Sequence, residues 1–160
     1  MGRWRVPRAN LVLDAKGNLY GTTYSGGRGV DGGNGVVFKL DKAGRERVLY
    51  RFPATGAKGI HPHGLVRDAQ GNLYGTTLFH GAFGWGTVFQ RAPTGKLTVL
   101  YNFTGGDADG GDPYAGVVQD SQGTCTGLPA LGLSATERCS RYPLDWTGKK
   151  AGTRRFRLSS

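Results

Sequence analysis

Apolar and β-branched residues come along this chain in short runs, broken by polar clusters that carry glycine. No segment repeats its apolar positions every 3.6 residues, so the pattern predicts strands and turns rather than helices. The clearest set covers 64–67, 73–77, 87–90 and 97–103, rich in Val, Leu, Thr, Tyr and Phe. Between the first two runs, Asp68, Gly71 and Asn72 predict a tight hairpin. The aspartate can cap backbone N–H groups there, while Gly and Asn tolerate positive φ. Ala92 to Gly95 does the same between the third and fourth runs, and a longer loop is expected over 78–85.

The pattern also repeats on a larger scale. Asp-Ala-Lys-Gly-Asn-Leu-Tyr-Gly-Thr-Thr at 14–23 recurs at 68–77 with nine of ten positions identical. Residues 35–52 align without gaps to 86–103, with eight of 18 positions identical. The lead-in from Pro7 to Asp14 is echoed from Pro113 to Asp120, so the key aspartates are spaced by 54 and then 52 residues. Four short antiparallel strands per unit of about 50 residues predict an all-β chain of β-propeller-like tandem repeats. The expected division is a lead-in over 1–10, repeat 1 over 11–63, repeat 2 over 64–115, the start of a third over 116–123, and an irregular tail over 124–160.

Asn-Leu-Tyr-Gly-Thr-Thr, Gly-x-Val-Phe and Val-Leu-Tyr-x-Phe recur in one order over residues 7–123. In these motifs the chain resembles the GloVer-type tandem repeat of bacterial proteins. The resemblance implies propeller-like repeats, an extracellular or cell-surface setting and no set of catalytic residues. Such proteins carry more repeats, so the chain is read as a fragment of about two blades and part of a third. The expected role is non-enzymatic, in binding or architecture. The alternative is part of a propeller enzyme acting on glycans, which would need carboxylates converging on a channel. A lone repeat cannot bury both faces, so open blade edges predict self-association.

Composition sharpens this picture at two points. Glycine supplies 29 of 160 residues, which argues against helices. The net charge of +10 lies mostly at the ends: residues 11–123 carry +2, residues 1–10 carry +3 and residues 124–160 carry +5. A nucleic-acid surface would gather its charge on a folded, aromatic-studded face, so nucleic-acid binding is not expected. There is no 18-residue apolar run for a membrane span and no signal-peptide pattern at Met1.

The tail departs from the repeat at one point. Where Asn-Leu-Tyr-Gly-Thr-Thr should follow Gly123, the chain reads Thr-Cys-Thr-Gly-Leu-Pro at 124–129. Read one base out of step, the codons of 124–129 permit Leu-Tyr-Gly-Thr-Thr, and a single adenine before Thr124 supplies the Asn. The same offset over 136–142 permits the Gly-x-Val-Phe-Lys-Leu block. The expectation is a one-base deletion at codon 123 or 124, leaving 124–160 unselected for folding.

Candidate chemistry is sparse. Phe79, His80, Phe83 and Trp85 lie in the loop of repeat 2 without counterparts in repeat 1, and are the expected contact for a carbohydrate or a surface protein. Asp107, Asp109 and Asp112 have the spacing of the first half of a calcium loop. No acid stands at the bidentate position, so a solvated turn is the plainer reading, and no other cofactor is expected. His61, His63 and His80 are expected to be loop histidines, since a third metal ligand at fixed spacing is missing. Cys125 and Cys139 both fall in the tail, and no serine or cysteine triad is readable. The glycine-rich run over 26–33 lacks the Lys-Ser/Thr ending of a phosphate loop. The in-register aromatics Tyr20, Tyr74, Phe38 and Phe89 are expected to pack between blades.

Overall fold

The computed structural model describes residues 5–7, 10–27, 33–53, 55–114, 116–119 and 125–127. Its strands are β1 (Arg5–Pro7), β2 (Val12–Leu13), β3 (Leu19–Ser25), β4 (Val36–Leu40), β5 (Glu46–Arg51), β6 (Ile60–Arg67), β7 (Leu73–Phe79), β8 (Thr87–Arg91) and β9 (Leu97–Asn102). A one-turn helix α1 (Gly106–Asp109), then β10 (Val117–Gln119) and β11 (Cys125–Gly127), complete the set. The first antiparallel sheet runs β3-β4-β5, with β1 and β2 both pairing to β3. The second runs β6-β7-β8-β9, and β10 pairs with β11 in a third.

Four hairpin turns are built alike. Gly17 N donates to Asp14 O, and Asp14 N donates to Asn18 O. The same pair of bonds closes Asp41–Gly44–Arg45, Asp68–Gly71–Asn72 and Ala92–Gly95–Lys96. The four turn glycines take φ between 76° and 101°, which a side chain would strain.

The repeated decapeptide has a physical job at nearly every position. Asp68 Oδ1 accepts from Asn72 N, and its Oδ2 accepts from Asn72 Nδ2 and from the Tyr74 hydroxyl. Asp14 holds Asn18 and Tyr20 in the same way. Leu73 is core, and Gly75 leaves room for the ring of Phe89 and the Gly64 carbonyl. Thr76 Oγ1 donates to His63 O and Pro113 O, tying β7 to β6 and to the segment that opens the third unit. Thr87 N donates to Thr77 Oγ1, as Val36 N does to Thr23 Oγ1.

The two large sheets stack face to face. Val37 and Phe52 of the first meet Leu65, Leu73, Phe89 and Leu97 of the second, with Phe52 edge-on to Phe89 at 5.3 Å. The far face of the second sheet carries Tyr74, Val88, Tyr101 and Phe103. Beside it β10 continues the stack, with Gly64 and Gly116 so close that a Cβ on Gly64 would lie 2.2 Å from Gly116 Cα. The β10–β11 pairing keeps the repeat register: Gln119 faces Cys125 as Arg67 faces Leu73. These are blade-like units of an all-β, propeller-like array, open among the described residues.

Several boundaries differ from expectation. β6 begins at Ile60, ahead of the strand expected at 64, because a bulge between His63 and Leu65 lets the strand continue past Gly64. His61 and His63 therefore stand in a strand, not a loop. β7 runs on to Phe79, so Leu78 is a fully buried core residue rather than the first loop residue. The expected deletion site at codons 123–124, the tail beyond 127 and Cys139 lie outside the described residues.

Candidate functional site

In each blade the hairpin turns lie at one end and the longer connections at the other. At the long-loop end, the chain after β7 closes a short turn: His80 N donates to Gly84 O, and Gly86 N donates to His80 O. Asn102 Oδ1 accepts from Ala82 N and ties this turn to the end of β9. His80 has a left-handed backbone (φ 65°), and its ring covers Gly56, where a Cβ would come within 2.0 Å of His80 Nδ1. Phe83 and Trp85 stand out on the turn, 60% and 40% exposed. The Trp85 indole lies against Gly105 and Gly111, a shelf that any Cβ would disturb, since those atoms would approach the ring to 2.5 and 2.9 Å.

Phe79 does not join them. It lies half-buried, edge-on to His61 at 5.9 Å, and His61 stacks flat on Tyr24 at 4.1 Å. His61 Nδ1 is 2.7 Å from Tyr24 O, and since a carbonyl only accepts, Nδ1 carries the proton. Of the four candidate residues, Phe83 and Trp85 thus share one exposed tip. His80 caps Gly56 beside it, and Phe79 belongs to the aromatic stack between the blades.

His61 was readable only as part of a His-Pro-His string; its structural meaning lies in a repeat relation that a one-residue gap hides. His61 N donates to Asn34 O and Asp112 N donates to Trp85 O. Both residues have φ near 50° and both precede a proline that packs over a glycine, Pro62 over Gly35 and Pro113 over Gly86. Asp112 is therefore the partner of His61 in the next blade. Burial raises the Asp112 pKa above the ordinary carboxylate value.

The calcium candidates are placed as follows. Asp109 ends α1, and its carboxylate accepts from the Tyr101 hydroxyl and from Thr104 N and Oγ1. These donors make it a cap for the loop after β9. Asp107 lies within α1. Among the described residues, no group of three His, Cys, Asp or Glu side chains is placed to hold a metal ion. Nor does any described helix have the length and apolarity to cross a membrane.

Stacked four-stranded units joined in one register define a β-repeat module. The Gloeobacter/Verrucomicrobia repeat matches residues 5–136, and the chain belongs to that family. Among solved structures, it is similar to one described as a streptogramin B lyase structure, with 16% identity and a TM-score of 0.47. That similarity covers 77% of this chain and 37% of the other, so the chain spans well under half of that structure's length. No curated protein matches the chain.

Proposed function

We propose that this chain is a non-enzymatic repeat module of an extracellular or cell-surface protein, which contacts a carbohydrate or a surface protein through Phe83 and Trp85. The observation that carries this reading is the exposed Trp85 ring, held from behind by Gly105 and Gly111. A braced indole offers a rigid apolar face at little entropic cost, suited to stacking on a sugar ring or an apolar side chain. The cell-surface setting is supported by the bacterial repeat motifs alone. The test is binding of the whole chain to a panel of bacterial polysaccharides and surface proteins. Trp85→Ala is expected to weaken binding at least tenfold with unchanged circular dichroism; equal binding by the variant would remove this site from consideration.

A second reading, a propeller part acting on glycans, is favoured by one feature. The Asp112 carboxyl is pushed toward its neutral, proton-donating form next to the Trp85 turn. Glycoside hydrolysis ordinarily takes two carboxylates, and Asp109 is engaged by Tyr101 and Thr104. Release of reducing ends by the parent chain but not by Asp112→Asn would establish this reading. The proposal also includes a one-base loss at codon 123 or 124, which would make 124–160 an out-of-frame tail. The family match runs on to residue 136, so the genomic sequence across codons 120–126 decides the point.

A further inference from the structure

The hairpin-turn end of the seam between the blades gathers cations that form no salt bridge among the described residues. Across the first sheet, Tyr20, Lys39 and Arg47 are register partners, and directly opposed residues project to the same face. Tyr20 packs into the inter-blade core, so this row faces the second sheet. Across the second sheet, Arg67, Leu73 and Arg91 form the matching row, and Leu73 belongs to the same core. The two rows meet around one phenol. Arg67 Cζ lies 5.6 Å and Lys39 Nζ 5.8 Å from the Tyr20 ring centroid, while Arg91 Nη2 reaches across to Leu49 O at 3.5 Å.

No salt bridge of any of these four cations occurs among the described residues; the one ion pair there joins Arg45 to Asp41. Two acids stand beside the seam: Asp14 is occupied by Asn18, Lys16 N and the Tyr20 hydroxyl, and Asp68, whose carbonyl accepts from Arg67 Nη1, has its carboxylate taken by Asn72 and the Tyr74 hydroxyl. The Nε atoms of Arg67 and Arg91 are buried without an acceptor. Four like charges converging in a partly desolvated seam repel one another, and two buried donors go unused. Repeat architecture does not demand this. At the equivalent positions of the next seam stand Gln90, Thr98 and Gln119, and Gln90 Nε2 donates to the Tyr74 hydroxyl. The positive cluster is thus a property of one seam.

We infer that Lys39, Arg47, Arg67 and Arg91 form a binding site for a compact oxyanion of the sulfate or phosphate class, seated between the blades at the hairpin-turn end. Guanidinium groups match such anions through paired N–H donors, and a bound anion would cancel the repulsion across the seam. The site is at the opposite end of the blades from Trp85, so its failure leaves the binding proposal there untouched.

The experiment is thermal unfolding of the full chain against sodium sulfate, sodium phosphate and glucose 6-sulfate, at ionic strength fixed with sodium chloride. A specific site gives a saturating rise in Tm, roughly 5–10 °C at a hundredfold excess over Kd. General salting by sulfate rises without saturation. Arg91→Gln and the more exposed Arg47→Gln are expected to lose most of the saturating part, and Lys96→Gln, outside the cluster, to keep it. Should Arg91→Gln fail to fold, Arg47→Gln and isothermal titration of the parent decide. Saturation by the inorganic ions assigns a free oxyanion; saturation by the sugar sulfate alone assigns an ester group on a glycan. A linear rise shared by parent and variants, or no heat with any of the three, overturns the proposal.

Discussion

At the scale of single residues, the repeat survives because a few side chains close their own turns. Tyr74 is buried and gives its hydroxyl proton to Asp68 while accepting from Gln90. Tyr74→Phe leaves a buried carboxylate oxygen and an amide short of a partner, and is expected to cost about 1–2 kcal/mol in urea unfolding. Tyr20→Phe, at a half-buried site, is expected to cost less. The carboxylates differ in sign. Asp14 is held well below the usual range, chiefly by the Asn18 amide, and Asp41 is lowered chiefly by Arg45 N–H. An acid whose folded pKa is depressed adds stability above its unfolded pKa, near 4, and loses it as pH falls through the folded value. Asp112 is the reverse: its pKa is raised by burial, so its charge opposes folding, and that cost fades on acidification. Asp112→Asn is therefore expected to melt above the parent at pH 7, with the gap closing toward pH 4. Asn also suits the left-handed backbone there. A gap that widens on acidification would contradict this account. The sequence showed Asp68, Gly71 and Asn72 as a turn, because turn chemistry is local. The Asp112–His61 relation stayed hidden, because it appears only when two blades are superposed across a one-residue gap.

At the scale of elements, strand type and order were legible, since alternating apolar positions and glycine turns act over a few residues. Strand ends were not. β7 runs through Leu78 and Phe79 because those side chains find the core and the His61 ring, which is itself held by stacking on Tyr24 of the neighbouring blade. The same neighbour decides what a repeated glycine is worth. A Cβ on Gly75 would lie 2.7 Å from both the Gly64 carbonyl and the Phe89 ring, in a seam closed on both sides. A Cβ on Gly21 would first meet the ends of Leu11 and Phe38, on a face where Leu11 is half exposed and free to give way. Gly75→Ala is expected to cost roughly 1–3 kcal/mol as an overpacked core, and Gly21→Ala clearly less. Equal losses in denaturant midpoints would mean that the glycine serves backbone freedom rather than packing.

At the scale of the whole molecule, the stack is asymmetric. Leu65, Gly75 and Phe89 of the second blade lie under the first, and their counterparts Leu11, Gly21 and Phe38 form the corresponding face of the first. On that face Leu11 and Leu13 are 51% and 66% exposed. The surface is built to receive another sheet: Leu65, the counterpart of Leu11 in the second blade, is buried under one. Contiguous exposed apolar groups on a sheet face drive association. The 160-residue chain is therefore expected to self-associate, with a mass by light scattering that rises with concentration over the micromolar range. Substituting Leu11→Ser and Leu13→Ser together is expected to shift it toward the monomer while the inter-blade core, which uses neither residue, keeps its melting transition. A concentration-independent monomer in the parent would show that this face is satisfied within one chain, and the double substitution would then lower Tm instead of changing the mass.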